Sequence, residues 1–217
     1  MKMKGKNEIG KPVKIPADPV TLQGMLAVPK GARGIVVFAH GSGSSRMSPR
    51  NNFVAEVLRD ASLGTLLFDL LTAEEDEIYR TRFNIELLTE RLETATEWLW
   101  RQSGLNKLKT GYFGASTGAA AALVAAADLK TKISAVVSRG GRPDLAGASL
   151  PKVTAPTLLI VGGNDDVVIK LNNDAYDLMK CKKDLQIVPG ATHLFEEPGT
   201  LEKVAELAAD WFTKYLS

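Results

Sequence analysis

Leu108-Lys109-Thr110-Gly111-Tyr112-Phe113-Gly114-Ala115-Ser116-Thr117-Gly118, followed by the small-residue run 119–127, decides how this chain folds. The pattern predicts a strand over 108–113 and a helix over 119–127, joined by a Gly-x-Ser-x-Gly turn. A turn that tight leaves room for little beyond hydrogen at its flanking positions. It lifts the serine oxygen clear of the sheet and sets it at a helix N-terminus. Free amide hydrogens there favour developing negative charge. The pentapeptide arises by chance in many chains, so its weight comes from its context and from its partners further along the chain.

A nucleophile elbow of this kind is succeeded along the chain by an acid and then a histidine. The chain has two histidines, His40 and His193, and only His193 comes after Ser116. It sits in Gly190-Ala191-Thr192-His193-Leu194-Phe195, between the last predicted strand and the last predicted helix. Between Ser116 and His193 the apolar run 157–161 opens into Gly162-Gly163-Asn164-Asp165-Asp166. Each candidate thus lies just past the C-terminal end of a predicted strand, where open parallel sheets place their ligands. Spacing alone admits Asp165 or Asp166 as the acid. An imidazole takes the serine proton during attack and returns it to the leaving group, and a carboxylate fixes the imidazole tautomer. The Thr117 amide is one expected oxyanion donor. The second is expected from His40-Gly41-Ser42-Gly43-Ser44, the loop after the predicted strand 35–39: the Ser42 amide, with Gly43 as the alternative. Gly41 and Gly43 would let backbone approach a substrate closely. His40 precedes the nucleophile and reads as a hydrogen-bonding support of that loop.

The rest of the pattern alternates strand and helix. Extended segments near 11–15 and 22–28 predict an antiparallel start to the sheet. A helix from Pro49, capped by Ser48, precedes a strand over 65–69. Residues 70–82, with Glu74-Glu75-Asp76-Glu77 and Tyr79, Arg80 and Arg82, read as a solvated loop or short helix, a lid being the sharper alternative. A helix running to about Ser103 places Trp98 and Trp100 in packing roles. Buried strands are expected over 133–138, 157–161 and 184–188, a loop over 140–151, and a final amphipathic helix through Leu201, Val204, Leu207, Ala208, Trp211 and Phe212. Strands separated by helices of this length imply parallel βαβ units, hence an α/β fold with helices on both faces of a mostly parallel sheet.

Composition sets outer bounds. A length of 217 residues with 45% apolar and 24% charged side chains suits one soluble domain over 1–217, in which 1–20 read as a partly ordered extension or an edge strand. Net charge is 27 minus 25, or +2, which points to neither a nucleic-acid surface nor an acidic tail. Lys2, Lys4, Lys6, Lys11 and Lys14 read as a solvated N-terminal segment, with no apolar stretch after them to make a signal peptide. No run approaches the ~20 apolar residues of a membrane span. A single cysteine, Cys181, excludes an internal disulfide and fits the cytoplasm. Its neighbours Lys180, Lys182 and Lys183 are placed to lower its pKa, yet it lacks an elbow and reads as a bystander at a helix end. No metal-ligand spacing, dinucleotide fingerprint or P-loop is present, so no metal or cofactor is expected.

Taken together, His40-Gly41-Ser42-Gly43, Gly114-Ala115-Ser116-Thr117-Gly118, Gly162-Gly163-Asn164-Asp165-Asp166-Val167-Val168 and Gly190-Ala191-Thr192-His193-Leu194-Phe195 resemble the α/β-hydrolase superfamily, and within it the lid-poor dienelactone hydrolase-like branch. The resemblance implies an α/β-hydrolase fold with no large cap domain. Its Gly-x-x-Asp-x-x-Val pattern, framed here by Gly162 and Val168, favours Asp165 as the acid. Dienelactone hydrolase uses a cysteine nucleophile and this elbow has serine. The expectation therefore shifts to a serine carboxylesterase acting on a small ester through Ser116, Asp165 and His193. Thioesterase, amidase or peptidase activity with the same triad, or a non-catalytic ligand-binding role, are the alternatives. Arg46, Arg139 and Arg142, expected on the catalytic face, are candidates for holding a substrate carboxylate. The plainer reading pairs them with Asp69, Asp144 or the acidic run 74–77. The oligomeric state is not legible.

Overall fold

A computed structural model describes residues 10–217. One eight-stranded sheet organises them, in the order β1 (Lys11–Ala17), β2 (Val20–Ala27), β4 (Gly64–Phe68), β3 (Gly34–Ala39), β5 (Lys109–Ala115), β6 (Ile133–Arg139), β7 (Thr157–Gly162), β8 (Lys183–Val188). The first two strands pair antiparallel with each other, and β2 pairs antiparallel with β4; every later neighbour is parallel. The predicted antiparallel start is therefore present, and residues 11–17 form an edge strand. Lys2, Lys4 and Lys6 lie outside the described residues.

The central strands β3, β4 and β7 are buried at every position, as continuous apolar runs covered on both faces require. One face packs α3 (Ile85–Trp100) and α4 (Thr117–Leu129) through Leu88, Leu92, Ala95, Ala122 and Ala126, with α5 (Asp166–Leu178) adding Ala175. The other packs α1 (Pro49–Asp60) and α6 (Thr200–Leu216) through Val54, Leu58, Val204, Ala208 and Phe212. At the start of α1, Ser48 accepts from the Asn51 N–H and Pro49 opens the first turn, as expected. Alanines nearly all round α4 let it lie buried between α3 and the sheet. The Trp100 indole donates to Thr110 Oγ1 at 2.9 Å, and Trp98 packs beside the core.

Three expectations need correction. Residues 143–152 are not a loop: they form two short 3₁₀ turns across a kink at Gly147, with Ala146 and Leu150 buried. The long helix stops at Trp100 rather than near Ser103. Cys181 lies beyond α5 in a bend, and burial raises its thiol pKa, outweighing the nearby Lys183 charge. Segment 70–82 holds a five-residue helix, α2 (Ala73–Glu77), closed by a reciprocal Thr72–Glu75 capping box, with no buried residue. Among the described residues no helix is long and apolar enough to cross a membrane.

His40 ties the ends of two central strands together. Its Nε2 accepts from the Leu70 N–H at 2.9 Å, and its Nδ1 lies 2.9 Å from the Gly41 carbonyl, to which it donates. Both ring nitrogens are thereby engaged in the neutral form, and burial at 5% exposure holds its pKa below 6.5. The unfolded chain therefore takes up this proton before the folded one does, and folding stability falls as pH drops below 6.5. We expect His40→Gln to flatten the acid limb of a urea-melt series between about pH 6.5 and 5, even if it destabilises the protein at neutral pH. An acid limb unchanged in slope would contradict this.

Candidate active site

The turn from β5 into α4 is built by close contact. A Cβ on Gly114 would lie 2.4 Å from Ala119 Cα, and one on Gly118 would lie 2.2 Å from the Ala39 carbonyl oxygen. Only hydrogen fits at either place, because backbone cannot retreat as a flexible side chain does. Ser116 between them takes φ 50° and ψ −121°, a region non-glycine residues rarely enter. Hydrogen bonds on both sides of the residue hold it there. Its N–H donates to the Arg139 carbonyl at 3.3 Å, and its own carbonyl accepts from the Arg142 N–H at 3.1 Å. The Ser116 side chain is partly exposed at the C-terminal edge of the sheet.

Asp165 ends the turn after β7 as the N-cap residue of α5, and His193 lies in the loop between β8 and α6. His193 Nδ1 and Asp165 Oδ2 are 2.7 Å apart. The backbone brings them together: a Cβ on Gly162 would lie 2.5 Å from the Ala191 carbonyl oxygen, and the Asn164 N–H donates to that carbonyl at 2.9 Å. The hydrogen bond reaches Asp165; Asp166 is exposed in the first turn of α5. With Nδ1 carrying its proton toward the carboxylate, His193 Nε2 is left as an acceptor. The ring sits beside Gly140, whose Cβ would lie 3.6 Å from His193 Cε1. Gly140 directly follows Arg139, which is bonded to the Ser116 amide, so the nucleophile and base candidates flank one strand end.

The loop after β3 closes on the same spot. A Cβ on Gly41 would lie 3.0 Å from Ser116 Cβ. The Ser44 N–H donates to the Gly41 carbonyl at 3.2 Å, closing a tight turn in which Gly43 takes φ +65°. The Ser42 N–H donates to no backbone carbonyl of the described residues. Thr117, first residue of α4, has no intrahelical acceptor for its N–H. Arg82 reaches this loop from the segment after α2, with its Nη1 3.7 Å from where a Gly43 Cβ would lie.

The three arginines divide. Arg46 is bound to Asp69, through its backbone N–H at 2.7 Å and through its guanidinium. Arg142 makes a two-pronged pair with Asp144 at 2.8 and 2.7 Å. Both thus follow the ion-pairing alternative. Arg139 has no carboxylate partner among the described residues. Arg50, in the first turn of α1, is the charged side chain that acts on Arg139 through space, and it is not among the candidates read from the sequence. No motif marks Arg50; only the fold brings it there. Among the described residues no group of three metal-ligating side chains gathers.

Known proteins resemble this chain along nearly all of its length. The family model described as the dienelactone hydrolase family matches residues 22–217. A dienelactone hydrolase structure from Anabaena variabilis is 58% identical, covering 96% of this chain and 98% of that one, with a TM-score of 0.93. Est1E from Butyrivibrio proteoclasticus, at 17% identity and a TM-score of 0.80 over 94% and 98% of the two chains, shares the fold. A Mycobacterium tuberculosis protein provisionally named a phosphoribosyl transferase is 62% identical over 204 residues, 94% of this chain and 46% of that protein. The chain thus spans less than half the length of that relative. With its mostly parallel sheet, helices on both faces and this family match, the chain has the α/β-hydrolase fold and belongs to the dienelactone hydrolase family.

Proposed function

We propose that this hydrolase cleaves a small carboxylic ester through an acyl-enzyme, with Ser116 as nucleophile, His193 as general base and acid, and Asp165 as its orienting carboxylate. The observation that carries this reading is the 2.7 Å contact between His193 Nδ1 and Asp165 Oδ2, with the His193 ring next to Gly140, the residue after the Arg139 carbonyl that accepts from the Ser116 N–H. The fixed tautomer leaves Nε2 to accept the Ser116 proton as Oγ attacks the ester carbonyl. The Thr117 and Ser42 amides receive the oxyanion, each donor contributing a factor of roughly 10²–10³. Proton return from His193 to the alcohol expels it, and water activated by the same imidazole releases the acid. The base contributes ~10²–10⁴. No bound cofactor enters these steps. Small substrates are favoured because the described residues place no inserted domain over the C-terminal edge of the sheet. The single cysteine suits a reducing cytoplasm, where we place the protein.

The Mycobacterium tuberculosis relative takes its name as a whole protein, of which this chain matches 46%.

A fluorophosphonate probe is expected to label the native protein stoichiometrically and to leave Ser116→Ala unlabelled; native protein that resists the probe would favour a binding role instead. Asp165→Asn removes the acceptor that fixes the His193 tautomer and should lower kcat on a p-nitrophenyl ester by ~10³–10⁴, whereas Asp166→Asn should stay within about twofold. Equal losses in the two variants would move the acid role away from Asp165.

A further inference from the structure

Arg139 is 7% exposed, at the C-terminal end of β6, with its carbonyl on the Ser116 amide. Its Nε and Nη1 are sealed from solvent without a hydrogen-bond partner among the described residues. The charge that bears on it most is another cation, Arg50. Other arginines on this side of the molecule are matched: Arg46 by Asp69, Arg50 by Glu196 at 2.9 Å, Arg82 by Asp76, and Arg142 by Asp144. Burial and the Arg50 charge pull the Arg139 pKa down to about 10, so it remains cationic at neutral pH. Neutral dipoles can satisfy N–H groups but supply no countercharge. A buried unpaired charge is costly where an apolar side chain would pack freely. The cost is understandable if an anion completes the site.

We propose that Arg139, backed by Arg50, forms a subsite for an oxyanion group, a carboxylate or a phosphate, carried by the substrate. Its role toward substrate rests on the hydrolase reading of Ser116. The position fits. Ala115 pairs with Arg139 across the sheet, Arg50 opens α1 just after the Gly41–Ser44 turn, and Glu196 comes just after the His193 loop. The subsite therefore lies between the nucleophile loop, the oxyanion loop and the histidine loop. Nη2, which also lacks a hydrogen-bond partner among the described residues but is not sealed, belongs to both two-nitrogen edges of the guanidinium fork. An oxyanion is met by Nη2, the one guanidinium nitrogen that is not sealed.

The test compares p-nitrophenyl valerate with mono-p-nitrophenyl glutarate and with the p-nitrophenyl ester of phosphonobutyric acid. Arg139→Gln should lose ~10–100-fold more kcat/KM on an anionic ester than on the neutral one, as loss of a charge-assisted pair implies, and Arg139→Lys should recover part of it. The ester with the larger differential loss tells carboxylate from phosphate. If Arg139→Gln does not fold, Arg50→Gln carries the comparison, with a smaller loss in the same direction. An unchanged ratio of anionic to neutral turnover in the variant that folds overturns the proposal. Should no ester be turned over, the hydrolase reading fails and the site is read by melting alone. Glutarate or inorganic phosphate, against sodium chloride at equal ionic strength, should then raise the melting temperature of the native chain. Such a rise lost in Arg139→Gln keeps the anion site, and no rise with either anion removes it.

Discussion

A single strained residue, Ser116 at φ 50° and ψ −121°, is the constraint around which the site is organised. Positive φ at a non-glycine position is unfavourable and persists only where its surroundings over-determine it. Here they do so from three directions. Gly114 and Gly118 let α4 and the end of β3 press against the turn. The Arg139 carbonyl and the Arg142 amide grip both sides of the Ser116 peptide. The buried, alanine-rich α4 cannot back away, because α3 lies behind it. Strain at one position is thus supported by packing across the whole sheet.

The same economy of backbone contacts assembles the other loops. Gly162 brings the β7 turn within van der Waals reach of residues 191 and 192, and the Asp165–His193 hydrogen bond results from that approach. His40 holds the oxyanion loop by a different route. Its two ring nitrogens join the Gly41 carbonyl to the Leu70 amide, so the ends of β3 and β4 are tied together. The acid and histidine loops are thus anchored to each other by backbone, and the oxyanion loop is anchored to a strand end through one buried side chain.

Much of this was legible in the sequence, for identifiable reasons. The glycines of the elbow, the Ser48–Pro49 cap and the fully apolar strands each carry a local signal that tertiary structure does not override. The features that escaped lack such a signal. The buried stripe of α5 runs through Val168, Asn172 and Ala175, and the asparagine at its centre breaks the apolar period. Its amide instead donates to the Gly141 carbonyl at 3.0 Å, a contact that exists only once the chain is folded. Residues 143–152, rich in Gly, Pro and Ala, pattern as a loop although Leu150 is buried. Spacing could not separate Asp165 from Asp166; the orientation of one turn does. The pairing states of Arg46, Arg139 and Arg142 likewise depend on which carboxylates the fold delivers, and Arg50 becomes notable only beside Arg139.

Reaction with a small alkyl phosphonate ester followed by a crystal structure of the adduct probes the proposed chemistry at its centre. Phosphorus should be bonded to Ser116 Oγ, with its phosphoryl oxygen within about 3 Å of both the Thr117 and Ser42 amides and the His193 ring facing the adduct. Phosphorus on another residue, or a phosphoryl oxygen turned away from those amides, is incompatible with this mechanism.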